Sequence, residues 1–183
     1  MNASIISWVI YDIGNTLFNA GVTGLFFPLW IITKLNGTDA TVGYTLSLAL
    51  LVSLIISPVV GALSDQTKNR KVFLGLFTLI CGFSTTFIGN NSLITSLIYY
   101  GISVTCLHLG DIFYNSMLKD VSNKNNIGII GGIGAGIGYI GAIIAIVIGL
   151  LIIENQGYPI GFSIIGILII IFGIPILIFL NEK

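Results

Sequence analysis

Charge is what this chain has least of. Only 8% of its 183 residues are Asp, Glu, Lys or Arg, seven of each sign, and there is a single histidine. Soluble domains carry about a quarter of their residues as charges, so a water-facing surface is excluded. The net charge of zero leaves no electrostatic attraction for nucleic acid. Cysteine is scarce as well. Cys81 and Cys106 both fall in apolar segments, where a thiol behaves as a small hydrophobe; they are read as buried and reduced, with no disulfide, metal or other cofactor assigned. Before the first apolar run there is no Lys or Arg, and no short apolar stretch with a cleavage site follows. The run is read as a retained first helix rather than a signal peptide.

What is abundant is apolar length. Hydrophobic residues make up 55% of the chain and the mean hydropathy is +1.05. Six apolar segments stand out, at about 5–33, 40–63, 72–89, 93–118, 128–153 and 159–180. Each is long enough to cross the hydrocarbon as a helix, which needs about 20 residues. The fold class is therefore all-α membrane: a single multi-pass domain over 1–183 with six transmembrane helices and the lipid bilayer as its solvent. The polar connectors are short, namely Lys34 to Asp39, Ser64 to Lys71, Asn90 to Ser92, Lys119 to Ile127 and Glu154 to Tyr158. Basic residues gather on the cytoplasmic side of membrane proteins. With the N-terminus inside, Lys68, Arg70, Lys71, Lys119, Lys124 and Lys183 are inside and only Lys34 is outside. Both termini are expected to be cytoplasmic. Pro28, Pro58 and Pro175 lie within helices and predict kinks, whereas Pro159 opens the sixth helix at no cost.

Against this background a few polar residues stand out. Asp12, Asn15 and Asn19 are spaced i, i+3, i+7 in the first segment, so they form one stripe. An acid near mid-membrane costs roughly 3 kcal/mol and must face a bundle interior or a wet cavity. The fourth segment carries His108, Asp111, Tyr114 and Asn115, with His108, Asp111 and Tyr114 or Asn115 on one face. Asp12 lies about seven residues after one end of its helix, and Asp111 about seven before the same end of its own. At 1.5 Å per residue both are roughly 10 Å deep. The functional reading is a solute or proton site, with His108 as a relay. The structural alternative is a packing network that transports nothing, and His108 alone reads as a satisfied core residue.

The connector after helix 2 reads Gly61-Ala62-Leu63-Ser64-Asp65-Gln66-Thr67-Lys68-Asn69-Arg70-Lys71. It resembles the 2–3 loop motif of the major facilitator superfamily, G-x-x-x-D-(R/K)-x-G-(R/K)-(R/K)-(R/K). Gly61, Asp65, Arg70 and Lys71 match; Gln66, Lys68 and Asn69 depart from it. The resemblance implies that these residues brace helix ends and govern opening to one side. A narrower resemblance covers helices 1 to 5. Trp8-x-x-Tyr11-Asp12-x-x-Asn15, Phe113-Tyr114-Asn115-Ser116-x-Leu118 and Gly138-Tyr139-x-Gly141 resemble pieces of the vacuolar amino-acid effluxer branch. Here Ile13-Gly14, Thr16 and Lys119 replace that branch's Trp-Ala, Ser and Pro. This resemblance implies export of a small solute, with amino acids as the expected class, across the cell membrane or a vacuolar or other internal membrane.

Helix 5 is glycine-rich, with Gly128, Gly131, Gly132, Gly134, Gly136, Gly138 and Gly141. Gly136 to Gly141 formally matches a dinucleotide fingerprint, but no strand precedes it and the run is apolar, so that site is rejected. Glycines four apart, as in Gly128, Gly132, Gly136 and in Gly134, Gly138, let helices approach closely. Six helices are one half of a major-facilitator bundle, which has an internal 3+3 repeat in each half. The C-terminal half is absent from this sequence, so a partner is expected: a homodimer or a separate six-helix chain, unless the product is truncated and inactive. Two rivals stand beside transport. One is a non-transporting assembly subunit. The other is an intramembrane aspartyl protease, since Tyr11-Asp12 and Gly110-Asp111 echo its paired acids; His108 replaces its first glycine and no Pro-Ala-Leu motif follows. The chain is read as no enzyme.

Overall fold

The computed structural model describes residues 2–66, 69–90 and 92–182. Lys68 and Lys183, two of the cations that set the expected orientation, lie outside the described residues. A backbone in lipid must satisfy its own N–H and C=O groups, and helices do so within one segment. Among the described residues six helices are long and apolar enough to cross a membrane: α1 (Ala3–Lys34), α2 (Asp39–Gln66), α3 (Arg70–Asn90), α4 (Leu93–Val121), α5 (Ile127–Gln156) and α6 (Tyr158–Phe179). No strand occurs among the described residues.

The helices differ from the expected segments in detail. α4 does not stop at 118. It passes a break at Met117 and continues as Leu118–Val121, which takes Lys119 and Asp120 out of the expected connector and onto a helix end. α1 is α-helical to Leu17, π-helical over Phe18–Phe26 and α-helical again from Phe27. Pro28 opens that last segment, where a missing N–H is tolerated. A second π-helical stretch, Gly149–Ile153, lies in α5. The two stretches touch, because the Phe26 ring sits over Gly149.

The main packing runs α2 on α4, α4 on α3, α3 on α6, α6 on α1 and α1 on α5. Exchanging α1 with α4, α2 with α5 and α3 with α6 leaves this order unchanged. The bundle is thus two triplets related by pseudo-symmetry, the 3+3 arrangement. Close approach is achieved with glycines. A Cβ at Gly82 would lie 2.7 Å from the Gly166 carbonyl, and one at Gly89 would overlap the Pro159 backbone, so α3 and α6 meet nearly backbone to backbone. α2 and α5 end the packing order and are the least buried of the six. Tyr44, Leu48, Leu54, Ile55 and Val59 of α2 all stand exposed.

Candidate functional site

α1 and α4 run antiparallel and meet through side chains. Trp8, Tyr11 and Tyr114 stack as three layers, with Tyr114 in the middle: centroids are 4.6 Å apart for Trp8–Tyr114 and 4.8 Å for Tyr11–Tyr114. The outer rings are pinned. Trp8 Nε1–H donates to the Tyr114 carbonyl at 3.1 Å, and the Tyr114 hydroxyl donates back to the Trp8 carbonyl at 3.2 Å. Tyr11 shares a 2.9 Å hydrogen bond with Thr78 of α3. These are large amphipathic rings whose polar tips find partners when buried. They hold the two helices in one register.

That register brings the acids into one seam. Asn15 Nδ2–H donates to Asp111 Oδ1 at 2.7 Å, joining α1 to α4. Asp12 lies one turn before Asn15 on the same helix, half-buried, with its carboxylate against Gly138 of α5. Asn15 is buried, Asp12 and Asp111 are half-buried, and Asn19 and Asn115 are exposed. Asn19 turns its amide back onto the Asn15 carbonyl at 3.1 Å. His108 is half-buried one turn along α4 from Asp111. Of the two candidates beside Asp111, Tyr114 packs against Trp8 of α1, and Asn115 is exposed.

The glycines of α5 divide by face. Gly134, Gly138 and Gly141 are buried against α1. A Cβ at Gly134 would strike the Trp8 ring, one at Gly138 would strike Asp12 Oδ2, and one at Gly141 would overlap the Ile13 carbonyl. Gly138 is therefore the seat of the Asp12 carboxylate as well as a packing residue. Gly128, Gly132 and Gly136 have nothing within 4 Å of a built Cβ and lie on the other side of the helix. The three sequence pieces around Trp8–Asn15, Tyr114 and Gly138–Gly141 thus converge on one spot.

At the end of the bundle that carries both termini, the loop residues also divide. Arg70 pairs with Asp120 at 2.8 Å, with both side chains largely buried. Lys71 Nζ donates to the Leu180 carbonyl at 2.8 Å, and its backbone N–H donates to Glu182. The cations at the start of α3 therefore brace the ends of α4 and α6, where helix C-termini carry partial negative charge. Gly61 has no neighbour within 4 Å of a built Cβ, and Asp65 is exposed. Sequence reasoning missed Asp120. The signal was available: it is the one acid between Asp111 and Glu154, and a cluster of cations at the same end needs a counter-ion. Removing one partner of a buried pair costs far more than an exposed pair is worth. Asp120→Ala is expected to lower stability by about 3 kcal/mol, read by unfolding in detergent, while Asp65→Ala changes it little.

The Major Facilitator Superfamily profile matches residues 14–183. The chain is 28% identical over 182 residues to an uncharacterized protein of Aquifex aeolicus (strain VF5), a match that covers 97% of this chain and 45% of that protein. It is 28% identical over 157 residues to the uncharacterized MFS-type transporter YxiO of Bacillus subtilis (strain 168), covering 80% of this chain and 37% of that protein. The chain spans less than half the length of these curated relatives.

Proposed function

Because this chain belongs to the major facilitator superfamily, we propose that it forms one six-helix unit of a secondary transporter whose solute passes along the α1–α4 seam. The observation that carries this reading is the Asn15–Asp111 hydrogen bond. It holds an ionisable group and an amide together inside two otherwise apolar spans, where polar groups are expensive and mark pathways. Transporter membership also points away from an enzyme, and the protease reading lacks any motif beyond its two acids.

The finer assignments follow from the residues. Asp111 carries the coupling proton, with His108 one turn away as relay. The solute is an amino acid, which rests on the converging motif pieces and their resemblance to amino-acid effluxers. A second six-helix unit, another copy or a separate chain, covers the exposed side of the seam and takes up the Gly128, Gly132, Gly136 face. Both termini are cytoplasmic and the host is the cell membrane. The Arg70–Asp120 pair and the Lys71 contacts form the brace that sets opening to one side.

The experiment uses proteoliposomes loaded with radiolabelled amino acids. The chain is reconstituted by itself and together with a neighbouring six-helix chain where one is encoded. Release above that of protein-free vesicles, enhanced by an imposed pH gradient, is expected in at least one arrangement. No release of any amino acid in either overturns the amino-acid assignment. Release that ignores the gradient overturns proton coupling.

A further inference from the structure

The connector between α4 and α5 carries free charge of one sign. Lys119 lies in the last turn of α4, and Lys124 in the turn before Ile127 opens α5. Asp120 is the one acid between the two lysines, and its carboxylate is held by Arg70 at 2.8 Å. Neither lysine pairs with an acid among the described residues. Both line one cavity of about 490 Å³, together with Ser122, Asn123 and Ile127. Its free polar groups are mostly donors. An ammonium has three N–H donors and no acceptor. The Asn123 side-chain carbonyl already accepts from the backbone N–H groups of Asn125 and Asn126 at 3.0 and 3.1 Å, which leaves its amide N–H groups over. The Ser122 hydroxyl donates to the Leu118 carbonyl. Cations that only fix the orientation of a membrane protein need no shared cavity. Two ammonium groups and an amide donor around one space suit an anion with several acceptor oxygens.

We propose that Lys119, Lys124 and Asn123 form a binding site for an anionic phosphate group, carried by the headgroup of an acidic phospholipid. Free phosphate has the same acceptor oxygens, but two features favour the lipid. The cavity lies where two spanning helices end, at the level of the headgroups. Its lining includes an apolar residue, Ile127, which is 38% exposed, and Ile129 beyond it is 65% exposed. A headgroup on the lysines therefore has apolar surface beside it for the glycerol and the start of the acyl chains. A lipid held here ties the end of α4 to the start of α5, next to the Arg70–Asp120 pair. The site does not depend on which solute the α1–α4 seam passes.

The test follows Tm of the full chain in non-ionic detergent as phosphatidylglycerol, phosphatidylcholine or inorganic phosphate is added. Saturating phosphatidylglycerol is expected to raise Tm by about 5 °C, since a ligand held only by the folded chain stabilises it. Phosphatidylcholine has the phosphate without net charge and is expected to raise Tm by less; an equal rise overturns the proposal. Changing both Lys119→Gln and Lys124→Gln is expected to remove most of the phosphatidylglycerol effect. Lys34→Gln, at the opposite end of the bundle, is expected to keep it. A full rise in the double variant, or the same loss in Lys34→Gln, overturns the site. If the double variant does not accumulate, Lys124→Gln is read by itself: a smaller rise supports the site and an unchanged one overturns it. A rise with phosphatidylglycerol but not with inorganic phosphate assigns the site to the lipid. An equal rise with inorganic phosphate assigns it to free phosphate. No rise with either overturns it. Because the readout is stability, failure here is separate from failure of the flux assay.

Discussion

Gly141→Val is expected to separate α5 from α1 and to cost more than about 4 kcal/mol, placing it among the rare severe substitutions. Even the first added carbon has no room, since a Cβ at this position would overlap the Ile13 carbonyl and lies 2.6 Å from the Leu17 backbone N. Neither obstacle is the end of a flexible side chain, so the helices themselves must part. Parting them undoes the neighbouring contacts, including Trp8 over Gly134 and Asp12 over Gly138. Gly132→Val is the control. It lies on the same helix and is the same change, but nothing stands within 4 Å of it. It is expected to leave the unfolding midpoint of the single chain in detergent unchanged. The measurement is denaturant-induced loss of helix signal for the two variants side by side; equal effects would refute the division of α5 into two faces. If Gly132→Val then weakens association with a second six-helix unit, the open face is a docking face. If association fails while flux never depended on Asp111, the chain is an assembly subunit instead.

The second large effect concerns Asp111. Asp111→Asn is expected to reduce proton-driven flux by about 100-fold or more, the scale on which loss of a proton-transferring group acts, with little change in stability. The asparagine keeps the size of the aspartate and can turn its carbonyl toward the Asn15 amide, so the 2.7 Å link between α1 and α4 has a substitute. What it lacks is the ability to take up and release a proton. Asp111→Glu should recover part of the flux, since it restores the acid at the expense of position. Flux and its dependence on an imposed pH gradient are measured together. Flux of Asp111→Asn that equals the starting protein at every pH removes any proton role and leaves the acid as a packing residue. Asp12→Asn is expected to matter less, because its carboxylate is seated on Gly138 of α5 rather than joined to a side chain of the opposite stripe.

Much of this was legible before any coordinates. Apolar run length alone marks six spans, because lipid admits only internally hydrogen-bonded segments. Asp12, Asn15 and Asp111 stand out because polar groups are costly in such runs. Counting from the helix ends predicts the two acids at matching depth; in the structure Asp111 is joined to α1 through Asn15, and Asp12 sits against Gly138 of α5. Helix propensity and hydropathy say nothing, however, of where a spanning helix widens. Phe18–Phe26 reads as ordinary apolar sequence, yet it is π-helical and brings the Phe26 ring over Gly149 of α5. Nor does a connector reveal its counter-ion: Lys119 and Asp120 look like loop residues until α4 is seen to continue past Met117 to Val121.

The sequence by itself determined the apolar character, the number of spans and the presence of small-residue stripes on α5, since each depends only on composition along one helix. The tertiary structure alone decided which stripe is used. Gly128-Gly132-Gly136 and Gly134-Gly138 have the same spacing, so periodicity cannot choose between them. The choice belongs to the surface of α1, where the Trp8 ring, the Asp12 carboxylate and the Ile13 carbonyl fit only against Gly134, Gly138 and Gly141. Shape complementarity is a property of two helices together, and neither sequence segment contains it.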